Sequence, residues 1–341
     1  MNKKTVLLIK LLFALHKFHK SNIPHIFARK QMAVSFDKNF QLKAGDKIGL
    51  ITPSSPISEE DLKTAIQNIK SLGLKPEYLP SVIGREGFFA GSALSRADEL
   101  HYFFKKKNIR AVMSVRGGYG SFEMLDLLDY QLLQENPKPL IGYSDATALL
   151  SALYHRCNIP AIHAPMALGG FSDYAAKQIK NLLFQKNNRY SISPDNNNSE
   201  SYSINTGKAE GILFGGNLSV LCSLIGTDYD PDYTGKILFL EEVNEPPYKI
   251  HRMLRQLQAS GKLSRLEALI FGSFKACDNI TEKEKAENFS LKEVLTQISE
   301  PLKIPAAYGF PFGHIADSAA LPIGLRADFD SIKSNLQIHL R

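Results

Sequence analysis

The sequence has few cysteines, no long apolar run and no metal-binding motif. Its cysteines, Cys157, Cys222 and Cys277, form neither a C-x-x-C pair nor an even-numbered framework. This excludes a disulfide scaffold and favours a reducing compartment, so we expect a cytoplasmic protein. The apolar stretch over residues 6–15 is interrupted by Lys10 and is too short to span a bilayer, and we expect no stable membrane insertion. No H-E-x-x-H motif occurs, and we expect neither a metal nor another cofactor.

Acidic residues are absent from the first 31 positions, which hold seven of the 41 lysines and arginines. Without that segment the chain has 34 basic and 34 acidic residues, so the net charge of +7 comes entirely from the segment. A nucleic-acid-binding face therefore has no support in the rest of the chain. We expect residues 1–38 to be a dispensable basic extension. A membrane-surface helix and a translation start at Met32 are the open explanations, and we prefer the second.

From Lys47 onward, strand-like apolar runs alternate with helical patterns. This alternation is typical of an α/β fold in which helices cover a parallel sheet on both faces. Asn, Ser and Asp dominate between residues 185 and 207, which predicts a polar linker. A chain of 341 residues is long enough for two domains. We predict an N-terminal α/β domain over 39–184 and a smaller C-terminal α/β domain over 208–341.

The run from Pro139 to Leu150, PLIGYSDATALL, says most about function. A short strand turns at Tyr-Ser-Asp into a helical pattern, so the Oγ of Ser144 is held out of the sheet. The first amides of the helix, beginning with Asp145, point at whatever Oγ attacks and favour a developing oxyanion. This is the logic of a nucleophile elbow, although Ala146 replaces the second Gly of G-x-S-x-G. The alternative is that Ser144 or Asp145 only caps the helix.

A nucleophilic serine needs a base, and the base needs an acidic partner. His314 follows a predicted strand in the loop GFPFGHIADS, at a strand's C-terminal end, where α/β folds place their chemistry. Glu241 follows the strand KILFL in the same way. Glu242 and Glu245 compete with it, and because neighbouring strand residues face opposite sides, only one of the first two can face the histidine. Sequence alone does not choose between them.

A glycine-rich loop, RGGYG, begins at Arg116 after a predicted strand. It resembles a phosphate-binding loop, but it lacks both the Lys-Ser/Thr ending and the G-x-G-x-x-G spacing. Backbone N–H groups that stabilise an oxyanion suit it better, which makes Gly117 and Gly118 candidates for that role.

Seven segments resemble, in the same order, the LD-carboxypeptidase family of muramoyl-tetrapeptide carboxypeptidases and related microcin-C immunity peptidases. Each segment alone is only weakly specific for the family, but seven of them in the family's order are strongly specific. Together they extend from about Phe40 to the C-terminus. The basic extension and the Asn-rich stretch near residue 196 depart from the family pattern but touch no motif. The matching segments are Gly45–Pro56, Val115–Gly120, Ile141–Asp145, His163–Met166, Gly215–Leu218, Leu238–Glu242 and Gly309–His314.

The resemblance implies a serine-type carboxypeptidase that needs no metal and has its active site between two domains. Ser144 would be the nucleophile, His314 the general base and then acid, and Glu241 the carboxylate that orients the histidine. Family members release a terminal D-alanine from cytoplasmic muropeptides in peptidoglycan recycling and are commonly homodimers. The implied partners are therefore a small peptide substrate and a second copy of the chain.

The resemblance also implies an oxyanion hole built from the backbone N–H groups of Asp145 and of Gly117 or Gly118. A carboxypeptidase must in addition recognise a free terminal carboxylate, which needs a cation or several N–H donors. Arg116 is our candidate because it precedes these glycines and an arginine can bind a carboxylate bidentately. The alternative is that Arg116 only shapes the loop.

Two other functions stay open. Within the same chemistry, an immunity-type peptidase would cut the amide of a peptidyl-nucleotide or aminoacyl-nucleotide conjugate. From another class, the chain could be a catalytically silent nucleotide-binding α/β module. That module requires a phosphate loop and an acidic ribose-binding residue about 20 positions further on, and neither is convincing here.

Overall fold

The computed structural model describes residues 33–34, 36, 40–184, 188–194, 201–278 and 288–340. The strands in chain order are β1 (Lys47–Ile51), β2 (Lys75–Glu77), β3 (Ile109–Ser114), β4 (Leu140–Gly142), β5 (Ala161–His163), β6 (Arg189–Ile192), β7 (Tyr202–Asn205), β8 (Lys208–Asn217), β9 (Lys236–Val243), β10 (Ala268–Lys275), β11 (Ala306–Tyr308), β12 (Leu321–Ile323), β13 (Arg326–Asp330) and β14 (Asn335–His339). The α-helices are α1 (Glu59–Ser71), α2 (Ala93–Lys105), α3 (Tyr130–Glu135), α4 (Thr147–Ala152), α5 (Asp173–Leu183), α6 (Leu218–Leu224), α7 (Pro247–Ala259) and α8 (Leu291–Ser299).

The first sheet has the strand order β12-β5-β4-β3-β1-β2. Strands β1 to β5 run parallel, and β12 pairs antiparallel with β5. The strands are short and largely buried, as expected where helices cover both faces of a sheet. Because the carboxyl ends of parallel strands lie along one edge, the loops after β1, β3 and β4 come together there. These are the loops that hold Ser54, Arg116 and Ser144.

The second sheet has the order β6-β14-β13-β8-β9-β10-β11-β7. Its central strands β8 to β11 are parallel, and antiparallel strands flank them on both sides. Glu241 lies near the carboxyl end of β9, opposite Asn217 of β8. His314 follows β11 in chain order. The predicted α/β class with a parallel-strand sheet is confirmed.

The structure departs from the predicted boundaries in three places. The described parts of the expected linker over 185–207 include β6 and β7, two edge strands of the second sheet, whose polar composition suits a solvated sheet edge. Strand β12, expected in the C-terminal domain, joins the first sheet through its pairing with β5. Val34 and Phe36, expected in the dispensable extension, are buried in the core, and the Val34 amide donates to the Gly324 carbonyl at 2.8 Å. The rest of that extension, apart from Ala33, lies outside the described residues.

The helices are held by local sequence signals as well as by burial. Helix α1 begins with a capping box, in which Ser58 accepts from the Asp61 amide and Asp61 accepts from the Ser58 amide. It buries Leu62, Ala65 and Ile69 at helical spacing. Among the described residues, no helix is both long enough and apolar enough to cross a membrane.

Candidate active site

Ser144 occupies a strained turn between β4 and α4. Its φ is +60°, in the left-handed region that a residue with a β-carbon rarely adopts. Such a conformation costs about 1–3 kcal/mol and persists only where the surroundings impose it. A single 3₁₀ turn over Ser144–Ala146 leads into α4, and the chain then continues as a π-helical turn over Leu153–Cys157. The backbone therefore has the form of a nucleophile elbow even though the second glycine of the motif is absent.

Gly117 approaches this serine closely. A β-carbon added at Gly117 would lie 3.0 Å from Cβ and 3.1 Å from Oγ of Ser144, and 3.3 Å from Cε of Met166. Any other residue would crowd the hydroxyl, so glycine is required by proximity and not by backbone conformation. Gly117 is buried, whereas Gly118 and Tyr119 are exposed. The glycine-rich loop thus passes directly over the serine.

The Asp145 side chain holds this loop, a role that the sequence did not indicate. Its Oδ2 accepts hydrogen bonds from Ser54 Oγ at 2.5 Å and from the Ser121 amide at 2.8 Å. Its Oδ1 accepts from the Gly120 amide at 3.3 Å. The Asp145 carbonyl accepts a further bond from Ser121 Oγ at 2.5 Å. One buried carboxylate therefore ties the serine turn to the end of the glycine-rich loop and to the loop after β1.

Glu241 and His314 form a pair beside the serine turn. Oε2 of the fully buried Glu241 is 2.7 Å from Nδ1 of His314. The His314 ring lies 4.7 Å from the ring of Tyr143, the residue before Ser144. Gly313 makes the pair possible, because its φ is +110° and a β-carbon there would lie 3.0 Å from Glu241 Oε2. Two chain segments 73 residues apart thus converge on the elbow.

The two competing glutamates have other partners. Glu242 accepts hydrogen bonds from Asn217 Nδ2 at 3.0 Å, from the Ser219 amide at 2.8 Å and from the Val243 amide at 2.9 Å. Burial raises the pKa of Glu242, and these three donors oppose that rise. Glu245 forms an ion pair with Lys249 at 2.9 Å. Of the three candidates, Glu241 is the one that contacts His314.

His163, at the end of β5, lies in the buried wall behind the pair. Its ring packs edge-on against Tyr143, with centroids 5.9 Å apart, and against Phe239, at 5.4 Å. Burial lowers the pKa of His163 to about 4, with Glu241 acting in the opposite direction. The imidazole is therefore neutral at physiological pH, as expected for a wall residue.

Two arginines, Arg116 and Arg96, form different hydrogen bonds with the loops of the candidate site. Arg116 is half-buried, and its Nη1 donates to the Pro56 carbonyl at 3.3 Å, a contact that favours the loop-shaping alternative. Arg96 of α2 was not selected from the sequence. Its buried guanidinium donates to the carbonyls of Pro53 at 2.5 Å, Gly120 at 2.7 Å and Gly91 at 3.1 Å. The sequence feature that could have identified Arg96 is its position on the apolar face of α2, four residues before Leu100.

A serine on a strained strand-to-helix turn, next to a histidine–carboxylate pair, is the arrangement found in serine hydrolases with an α/β fold. Two family models match the chain. One is described as the LD-carboxypeptidase N-terminal domain and matches residues 48–164, and the other as the LD-carboxypeptidase C-terminal domain and matches residues 210–329. The chain belongs to the LD-carboxypeptidase family.

Individual relatives agree with this membership. The chain is 33% identical to a probable murein peptide carboxypeptidase of Bacillus subtilis, with 89% of this chain and 95% of that protein covered. It is 34% identical to a murein tetrapeptide carboxypeptidase of Pseudomonas aeruginosa, with 86% and 95% covered. Among solved structures, an MccF-like protein from Bacillus anthracis superposes with a TM-score of 0.79 at 28% identity, covering 88% of this chain and 98% of that one.

Proposed function

We propose that this protein is a serine LD-carboxypeptidase that releases the terminal D-alanine from murein tetrapeptides. The observation that carries the proposal is Ser144, held at φ +60° beside the Glu241–His314 pair. A turn of this kind is energetically unfavourable and has no evident packing purpose, so it indicates an exposed nucleophile. The names of the two curated relatives supply the substrate class.

In the proposed mechanism, Ser144 Oγ attacks the carbonyl carbon of the third peptide residue. Because Nδ1 of His314 faces Glu241, the remaining ring nitrogen, Nε2, takes the serine proton. Glu241 fixes the orientation of the ring and stabilises the imidazolium that forms. His314 then returns the proton to the amine of the departing D-alanine, which leaves an acyl-serine. A water molecule, deprotonated by His314, hydrolyses that ester.

The tetrahedral oxyanion needs N–H donors held in position before the reaction. We assign this role to the backbone N–H of Asp145 and to that of Gly117 or Gly118. Support comes from the contact of Gly117 with Ser144 and from the Asp145 carboxylate, which holds both segments together. No three His, Cys, Asp or Glu side chains cluster as a metal site in the part of the chain that the structure describes.

For the substrate's terminal carboxylate we keep Arg116 as the proposed partner. Its bond to the Pro56 carbonyl occupies one guanidinium nitrogen, and the others can still receive a carboxylate. We also propose that the protein acts in the cytoplasm, in peptidoglycan recycling, as a homodimer.

Replacing Arg116 with Met tests whether this arginine binds the terminal carboxylate of the substrate. A raised KM for tetrapeptide, but not for tetrapeptide amidated at D-alanine, supports carboxylate binding, whereas equal losses assign Arg116 to loop shape.

The decisive test of function is D-alanine release. Purified protein is incubated with free or UDP-linked tetrapeptide, and the liberated D-alanine is quantified, with the Ser144→Ala variant as control. Release by the wild type alone supports the proposal. Release that persists unchanged in the chelator EDTA and disappears in the variant is the expected pattern. Absence of D-alanine on both substrates would refute it.

A second candidate activity is favoured by the structural likeness to the MccF-like protein. MccF itself is a microcin C7 self-immunity protein. The same triad could cleave the amide of an aminoacyl-sulfamoyl adenosine, because acyl transfer to serine does not depend on the leaving amine being an amino acid. Comparing kcat/KM on that conjugate and on tetrapeptide separates the two activities.

A further inference from the structure

Two buried polar groups at the proposed triad have no hydrogen-bond partner among the residues that the structure describes. One is Oε1 of Glu241, the carboxylate oxygen that does not face His314. The other is the imidazole of His163, in which neither Nδ1 nor Nε2 is paired within the described part of the chain. Both side chains are fully buried. Since buried polar groups nearly always have partners, this pair requires an explanation.

The two groups lie in the same layer of the fold. Phe239 and Glu241 are two positions apart on β9, so their side chains leave the same face of the strand. The His163 ring packs edge-on against the Phe239 ring and against the Tyr143 ring, which in turn contacts His314. Both Glu241 and His314 act electrostatically on the pKa of His163. His163 therefore lies beside the Glu241–His314 pair.

The hydrogen-bonding needs of the two groups are complementary. An ionised carboxylate can only accept hydrogen bonds, and it is costly to leave one of its oxygens unpaired in the interior. Because burial lowers the pKa of His163 to about 4, its ring is neutral near pH 7. A neutral imidazole carries one N–H, which needs an acceptor. The histidine thus supplies the donor that the carboxylate lacks.

We infer that His163 is a positioning residue that donates its ring N–H to Oε1 of Glu241, either directly after a small ring rotation or through one ordered water. The inference rests on the proposed function, because it gives His163 a part in orienting the proposed base. With both oxygens bound, the carboxylate group cannot rotate, and Oε2 stays directed at Nδ1 of His314. His163 itself touches no substrate and transfers no proton.

Removing this donor should raise the pKa of His314. The bond stabilises the charge of Glu241 most when His314 is neutral, since a protonated His314 already compensates that charge. Its loss therefore favours the protonated histidine, and we expect a rise of about one unit, a tenfold change in proton affinity. The other titratable groups that interact with Glu241 are Tyr143, Glu242 and Cys277, and the substitutions below leave all three in place.

The test replaces His163 with Phe, a ring of similar size without an N–H. In an NMR titration of the histidine rings without substrate, the pKa of His314 should rise by about one unit in His163→Phe. His163→Asn and His163→Gln carry an amide N–H near the positions of Nδ1 and Nε2, and one of them should restore the wild-type pKa. His155→Phe, which changes a half-buried histidine of the π-helical turn, is the matched control and should leave that pKa unchanged.

D-alanine release provides a second measurement. His163→Phe should lower kcat about 10-fold with little change in KM, because a rotated carboxylate misaligns the base and not the substrate. The acid limb of the kcat/KM profile should move to higher pH together with the pKa of His314. A wall residue that acts only by packing would change the urea midpoint but neither of these. A folded His163→Phe variant with an unchanged His314 pKa overturns the inference.

The NMR measurements separate the inference from the proposed function, because they need no turnover. A raised His314 pKa in His163→Phe supports the inference even if the wild type releases no D-alanine, a result that would refute only the function. If His163→Phe does not fold, the ring N–H signal of His163 is compared between the wild type and Glu241→Gln. An upfield shift in Glu241→Gln supports the bond to Glu241, and an unchanged signal overturns it.

Discussion

Replacing Asp145 with Asn should weaken both the fold and the proposed activity. An amide group has one oxygen where the carboxylate has two. If the NH₂ replaces Oδ2 it faces the Ser121 N–H, and if it replaces Oδ1 it faces the Gly120 N–H. The Ser54 hydroxyl can rotate to accept, but a backbone N–H cannot. Either orientation therefore leaves one buried backbone donor without an acceptor, which costs about 1–3 kcal/mol of unfolding free energy.

The activity should fall as well, because the freed donors lie at the end of the loop that carries Gly117. A displacement of about 1 Å in a catalytic group typically costs on the order of 100-fold, so we expect kcat to fall about 10- to 100-fold. Urea unfolding and D-alanine release measure the two effects. Ser54→Ala is the graded control, since it removes one hydroxyl and leaves both N–H bonds, and it should cost about 1 kcal/mol. An Asp145→Asn variant with wild-type stability and kcat would refute this account of the loop.

Three further predictions concern single groups. Ser144→Ala and His314→Ala should each lower kcat by roughly 10⁴- to 10⁶-fold, and the double variant should be little worse because the two act together; more than a few per cent residual activity would contradict a serine mechanism. Glu241→Gln should lower kcat by roughly 10³- to 10⁴-fold, a larger loss than that caused by Glu242→Gln. If Glu242→Gln caused the larger loss, Glu242 and not Glu241 would be the residue that orients His314. Burial raises the pKa of Glu99 to about 7 from its ordinary 4.5. The folded protein therefore holds this proton over a range where the unfolded chain has lost it, so the contribution of Glu99 to stability should decline by about 3 kcal/mol as pH rises from about 4.5 to 7, while the lowered pKa of His163 acts in the opposite direction over the same range. Glu99→Gln, which can keep its bonds to Thr52 and Ser81, removes this contribution, so the unfolding free energy of the wild type minus that of the variant, measured by urea unfolding, should fall as pH rises across this range; a difference that does not change with pH would contradict the assignment to Glu99.

Local patterns in the sequence were enough to identify the fold class and the elbow. Strand and helix periodicity, with turn residues between them, predicts the parallel strands of the first sheet because each signal is contained within about ten residues. The serine turn is equally local, since Pro139 to Leu150 contains the strand, the turn and the start of the helix. The family resemblance also rests on short segments, so it could be recognised from the sequence without the tertiary structure.

Only the tertiary structure decided which distant groups meet. Sequence could not choose between Glu241 and Glu242, because the choice depends on which face of β9 is turned toward His314, 73 residues away. Nor could it show that the Asp145 carboxylate holds the glycine-rich loop, since hydrogen-bond partners of a buried charge are set by packing. Strand β12 lies in the first sheet because it pairs antiparallel with β5. The paired residues Leu321 and His163 are 158 positions apart in the chain. Short-range propensities fix no such partner, because long-range pairing is determined by the packed fold as a whole.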